Sequence, residues 1–414
     1  MNIFQAQLLV IQTLMGEPPL LKNAKNGADL NGGVAREYSG EYWACKLDRP
    51  MGFREGCNYT PENPPIFINI AEVLFEDIDC NSGGCMAVGH SNSPGSGKGY
   101  LARSLDDGKT WYISLRKDQP NAYEDMFHVS LLNASEAFVA GRGGGIFYGR
   151  NWKYPEGKFS KQPTTMSTGA GVAGFILGLG VKQVGTDVLG FAGLSSQEVL
   201  KKTSGTNPKW TGFTGHGTSF RTVDDFAFSD DGSKVIATQS GGGEDFWIGE
   251  TANTSTWQIK GGFPAGCSAQ GVRKHRVRAL DGNLNTLVFA TGDGDGSGHG
   301  CLVKCVANAG TYTCKNTDPN NMALFGMDFA QDRQTGVAVG WGGAILVTKD
   351  GGETWKPSNS GVTYQLSSVK VLNKYSAVVA GDSGTLLTTD DLQKGTVSWT
   401  KAKVIQQDFA GENW

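Results

Sequence analysis

Acidic and basic side chains gather at a few points along the chain, and each grouping suggests a chemistry. Asp293, Asp295 and Ser297 place oxygen donors at alternate positions, as calcium-binding loops do. No bidentate Glu follows, so a solvated turn is the plainer reading and no metal is expected. Glu244, Asp245, Asp293 and Asp382 supply carboxylates, and glycoside hydrolysis needs two of them roughly 5–10 Å apart. Nothing in their spacing selects a pair. The run Arg273, Lys274, His275, Arg276 and Arg278 could take an anionic glycan or an acidic protein patch, although a solvated loop explains it as well. Ser96-Gly97-Lys98-Gly99 lacks the Ser or Thr that must follow the lysine of a phosphate-binding loop. A Gly-x-Ser-x-Gly elbow for a serine nucleophile is missing too.

Cysteine placement points to covalent stapling. Cys45 with Cys57, Cys80 with Cys85, and Cys305 with Cys314 form local couples, leaving Cys267 and Cys301 over. The turn Cys80-Asn-Ser-Gly-Gly-Cys85 has the form of a hairpin closed by a disulfide. No Cys-x-x-Cys occurs, which argues against zinc. An even count of cysteines suggests an oxidising compartment, extracellular or the lumen of an organelle. Asn58, Asn133 and Asn253 open glycosylation sequons.

Glycine turns and apolar strands must position these groups. Phe138-Val-Ala-Gly141-Arg142-Gly-Gly-Gly-Ile-Phe147, Val337-Ala-Val-Gly340-Trp341-Gly-Gly-Ala-Ile-Leu346 and Val378-Val-Ala-Gly381-Asp382-Ser-Gly-Thr-Leu-Leu387 read alike. Each is a strand, a glycine turn and a second strand. Weaker copies at 85–89, 189–193, 235–238 and 288–292 bring the total to seven, spaced by about 40–55 residues, the length of one four-stranded propeller blade. A second repeat runs in phase with the first. Ser104-Leu-Asp106-Asp-Gly108-Lys-Thr-Trp111 and Thr348-Lys-Asp350-Gly-Gly352-Glu-Thr-Trp355 match the Asp-box, and decayed versions end at Trp399, Trp257, Trp210 and Trp152. In such a turn the carboxylate accepts from amides, glycine takes the left-handed position, and the tryptophan packs between blades.

These repeats predict an all-β, seven-bladed β-propeller with four-stranded antiparallel blades. The blades fall at about 68–115, 124–163, 168–213, 220–262, 274–317, 322–357 and 364–403, after an N-terminal lead-in of 1–67. The C-terminal segment 404–414 is expected to close the ring by pairing with an N-terminal strand. Residues 1–16 read as a short amphipathic helix, a secretory signal being the alternative. Gly at 60 residues, with only 14 Pro and no Gly-X-Y period, fits many tight turns rather than collagen or a disordered chain. A net charge of −3 with 19% charged residues excludes binding driven by nucleic-acid phosphates. No run of about 18 apolar residues would span a membrane.

The last two blades, Phe325 to Lys401, resemble the photosystem II stability/assembly factor-like propellers and, more broadly, the Asp-box (BNR-repeat) superfamily, which also includes sialidases. The resemblance implies a seven-bladed ring and, for the assembly-factor branch, non-enzymatic protein binding without a cofactor. It also implies that the Asp-box turns are structural and sit away from the ligand face. That face is expected in the turns between second and third strands and in the blade junctions. Its candidates are Arg142, Arg221, Glu244, Asp245, Arg276, Asp293, Asp295, His299, Trp341 and Asp382, with His216, Arg273, Lys274 and His275 beside them. The expected function is a binding or assembly module for a protein or carbohydrate; no catalytic residue is assigned. The alternative is a glycosidase working through carboxylates of the central pocket, although the Arg-Ile-Pro motif of sialidases is absent. Oligomeric state is left open.

Overall fold

The computed structural model describes residues 34–38, 41–45, 68–92, 99–115, 125–153, 158–172, 174–204, 209–213, 222–240, 246–261, 263–264, 267, 276–292, 299–318 and 320–407. Among them the chain is all-β, a seven-bladed β-propeller. A short hairpin, β1 (Val34–Tyr38) and β2 (Glu41–Cys45), precedes the ring. Blade 1 holds β3 (Val73–Asn81), β4 (Gly84–Ser91), β5 (Gly99–Ser104) and β6 (Thr110–Leu115). Blade 2 follows with β7 (Met126–Leu131), β8 (Glu136–Gly141), β9 (Ile146–Arg150) and β10 (Lys158–Lys161). After β11 (Thr164–Thr165), blade 3 comprises β12 (Ile176–Val184), β13 (Asp187–Leu194), β14 (Val199–Lys202) and β15 (Trp210–Phe213). Blade 4 is β16 (Thr222–Phe228), β17 (Lys234–Ser240), β18 (Phe246–Glu250) and β19 (Gln258–Lys260). Blade 5 is β20 (Arg276–Ala279), β21 (Thr286–Gly292), β22 (Gly300–Asn308) and β23 (Thr311–Asn316). In blade 6 stand β24 (Leu324–Phe329), β25 (Gly336–Gly340), β26 (Ala344–Thr348) and β27 (Lys356–Asn359). Blade 7 is β28 (Leu366–Val371), β29 (Ala377–Gly381), β30 (Leu386–Thr389) and β31 (Thr400–Lys401), and β32 (Lys403–Gln407) ends the described chain.

Innermost strands pack on one another around the ring, and β28 packs on β3 to close it. Closure is reinforced at the rim. Strand β32 lies parallel to β6 on one side and parallel to β2 on the other, so the C-terminal segment does pair with an N-terminal strand. It also extends blade 1 directly. Blade 3 gains a comparable strand, β11, parallel to β15; nothing in the glycine repeat announces it.

The core lies between blades. Trp111 of blade 1 clusters with Val378, Ala380 and Leu386 of blade 7. Trp152, Trp210, Trp257 and Trp355 each meet the preceding blade in the same way. Blade 5 has no tryptophan at this position, and Tyr312 packs there against the blade 4 side of the cluster. Each buried ring contributes roughly 1.5–3 kcal/mol. The two full octapeptide turns carry two of these wedges, Trp111 and Trp355. Ser104 Oγ donates to Asp106 Oδ1 at 2.8 Å and accepts from the Gly108 amide at 2.9 Å, while Asp106 Oδ1 also accepts the Thr110 amide at 2.8 Å. Thr348, Asp350, Gly352 and Thr354 repeat this at 2.7, 3.0 and 2.9 Å.

Disulfides join Cys80 to Cys85 and Cys305 to Cys314, each pair directly opposite across a hairpin. Cys267 and Cys301, left over in the sequence reading, bond to each other. These three bridges fit an oxidising compartment. Cys57 and the side chain of Cys45 lie outside the described residues, as do Asn58 and residues 1–16. Among the described residues no helix is long and apolar enough to cross a membrane.

Candidate functional site

Antiparallel alternation sorts the loops onto two faces. The innermost strands begin at the face where the turns between second and third strands also lie, here called the upper face. The octapeptide turns and the turns between first and second strands lie on the lower one.

Three of the candidates occupy one equivalent upper position. The amides of Arg142, Trp341 and Asp382 donate to the carbonyls of Asp125, Ala323 and Gln365, at 2.9, 3.0 and 2.9 Å. Each turn is thereby tied to the entry of its own innermost strand. Their side chains differ in fate. Trp341 stands 51% exposed. Arg142 reaches Asp125 at 3.2 Å and lies 5.3 Å over the Phe175 ring. Phe175 touches Phe127, which meets the edge of His90, so an aromatic chain spans blades 1 to 3 at this face. Burial opposes protonation of His90, yet Glu76 at 3.1 Å raises its pKa. His299 sits just before β22, bridged to Met322. Arg221, Glu244, Asp245, Asp293, Asp295, His216, Arg273, Lys274 and His275 lie outside the described residues.

Arg276 departs from the expected loop. It opens β20 and is only 5% exposed, and Arg278 stands two residues along the same strand. The basic run therefore ends inside the ring. Strand pairing explains why. Asp77, His128, Gly178, Asp225, Arg276, Gly326 and Ser368 face equivalent partners in their second strands, and so form one layer around the central channel. Two residues on, Asp79, Ser130, Gly180, Ala227, Arg278, Asp328 and Lys370 form the next. Alternation along a strand turns both layers toward the following blade's innermost strand, where a Cβ on Gly178, Gly180 or Gly326 would collide, while Ile78, Val129, Phe226, Val277 and Val369 between them pack toward the preceding blade. A β-bulge precedes the first layer in blades 1, 2, 3, 4, 6 and 7 and sets this register.

The charges in these layers are matched. Asp77 accepts from Ser368 Oγ at 2.7 Å and lies 3.4 Å from both Arg276 and His128. Arg278 bridges Asp225 at 2.9 Å and Asp328 at 2.8 Å, and Lys370 reaches Asp79 at 3.0 Å and Asp328 at 3.7 Å. Carboxylates also cross between blades to backbone amides. Asp79 takes that of Leu131 at 2.8 Å, Asp225 that of Val277 at 3.0 Å, and Asp328 that of Val371 at 3.0 Å. Burial alone would raise the pKa of Asp77, but Arg276, His128 and Ser368 outweigh it and hold the carboxyl far below its usual range. Asp328 is lowered in the same way by Lys370 and Arg278 against its own burial. Asp328 and Asp79 in turn raise Lys370 well above an ordinary lysine. These groups are committed to each other.

No protein-family model matches the chain, and no curated protein matches it. Solved structures do. The chain resembles YCF48 from Cyanidioschyzon merolae at 16% identity and a TM-score of 0.56, over 78% of this chain and 97% of that one. A second YCF48 structure, bound to D1 peptide, gives 13% identity and 0.54 over 77% and 93%. The Niastella koreensis GH74 enzyme gives 17% and 0.58, over 82% of this chain but 55% of the enzyme. At these identities the likeness is one of fold.

Sequence reasoning missed the channel network and Tyr364, which is 53% exposed on the upper-face connection into blade 7. A signal existed: Asp77-Ile-Asp79, Arg276-Val-Arg278 and Ser368-Val-Lys370 alternate polar and apolar residues where a strand has two faces.

Proposed function

We propose that the chain is a non-enzymatic binding module of the Asp-box superfamily that presents its upper face to a protein ligand. One observation carries this reading. The described carboxylates of the channel are tied to cations or interblade amides, whereas the large exposed side chains of the upper face, Trp341 and Tyr364, are aromatic and held on short turns. A general acid needs a carboxyl that keeps its proton near neutral pH. Asp77 and Asp328 are shifted the opposite way. Rigid, exposed aromatics are what binding hot spots are made of. The peptide bound by YCF48 adds support for a protein ligand. Disulfides and sequons suit secretion or an organelle lumen.

Two assays on the full chain test it together. Peptide and glycan arrays should show saturable peptide binding. Aryl glycosides incubated between about pH 4 and 8 should remain intact. Turnover that is abolished by replacing a channel carboxylate would overturn the proposal in favour of a glycosidase.

A further inference from the structure

Resting on that reading, we propose that the upper face over blades 6, 7 and 1 docks a cationic segment of a partner protein. Six large apolar side chains are exposed among the described residues, and Trp341 and Tyr364 are the pair on this face. Leu105 and Tyr375 belong to lower turns, Ile259 to the outer strand of blade 4 and Val306 to the third strand of blade 5. Direct contacts make one continuous arc. A Cβ on Gly343 would fall 2.0 Å from the Val362 carbonyl, so the Trp341 turn lies tight against the connection that carries Tyr364. The Asp382 amide then bonds the Gln365 carbonyl at 2.9 Å, next to Tyr364. Gly384 donates to the Val73 carbonyl at 2.7 Å, and Ser383 to the Ala71 carbonyl at 3.3 Å, which brings the turn against exposed Glu72.

Charge selects the occupant. Residues 340–344, 360–366, 381–385 and 69–73 contain two carboxylates, Asp382 and Glu72, and no Lys or Arg. Arg142 stands on the far arc, over blades 2 and 3, engaged with Asp125 and Phe175. Aromatic faces flanked by carboxylates attract a guanidinium or ammonium group, through the ring quadrupole and through Coulomb attraction. They repel an acidic chain. Left-handed Gly342 and Gly343, at φ +65° and +78°, fix the backbone beside Trp341, so little ordering is needed when a partner arrives.

An array of 12-residue peptides graded from acidic to basic, read with the full chain at low and high salt, tests this. Binding should rise with positive charge and weaken severalfold at high salt. Trp341→Ala, and separately the pair Glu72→Gln with Asp382→Asn, should each weaken basic peptides by about tenfold. Trp341→Phe should keep most of the affinity, and Tyr375→Ala on the lower face should change nothing; circular dichroism checks that every variant is folded. Binding without charge dependence, or unaltered by the upper-face variants, overturns the proposal. If neutral or acidic peptides bind and Trp341→Ala removes them, the cationic partner is wrong while the binding-module reading stands. If no peptide binds, the proposal fails, and glycoside turnover in the same preparation would remove the reading with it.

Discussion

Asp77 is held by side chains from three other blades: His128 of blade 2, Arg276 of blade 5 and Ser368 of blade 7. Replacing it with Asn leaves Arg276 buried with, among the described residues, only the more distant carboxylate of Asp225 at 3.8 Å. Breaking a buried pair in this way costs about 3–5 kcal/mol, and denaturant unfolding of Asp77→Asn should show that loss. Gly108 poses a steric question rather than an electrostatic one. Its φ is +82°, and an added Cβ would lie 2.0 Å from Val378 Cγ1 of the neighbouring blade. Gly108→Ala should lower stability by about 1–3 kcal/mol, with a matching fall in the urea midpoint. The octapeptide around Gly108 was legible because its bonds run between near neighbours in sequence. Asp77 was not, since its partners lie 51, 199 and 291 residues away.

At the level of elements, the strands and turns of most blades follow from the glycine repeat, while two features needed the fold. Cys267 and Cys301 are separated by 34 residues and pair only because the fold sets Cys267 against the start of β22. Closing a loop of that length restricts the unfolded chain by about 3–4 kcal/mol. Replacing both cysteines with Ser should reduce the free energy of unfolding by roughly that amount in guanidinium, and a change below about 1 kcal/mol would contradict the entropic argument. Strand β32 seals blade 1 from the outside, between β6 and β2. Chain ending before Lys403 should melt at a lower temperature in calorimetry, because β6 loses its parallel partner. The bulges left no trace in the sequence. They fall one residue before the first layer in six of the innermost strands, at residues as different as Glu76, Phe127 and Ser367.

For the molecule as a whole, the channel network joins blades 1, 2, 4, 5, 6 and 7, so its ionisation bears on the entire ring. The pKa values of Asp77 and Asp328 are lowered in the folded state. Their contribution to stability is therefore complete above the ordinary carboxylate value of 3.8 and is lost as pH falls below it toward the depressed folded values. Urea midpoints measured from about pH 5 to 2 should fall steeply below pH 4, and less steeply in Asp77→Asn. Equal slopes in the two proteins would show that the network is not the acid-labile element. Taken alone, the sequence determined the ring, its seven units and its octapeptide turns, because these rest on local periodicity and on hydrogen bonds spanning a few residues. Only the tertiary structure decided that Arg276 joins the channel network, that two leftover cysteines meet, and that Trp341, Tyr364, Asp382 and Glu72 share one arc. Those outcomes depend on strand register and on closure of the circle, which bring together residues hundreds of positions apart.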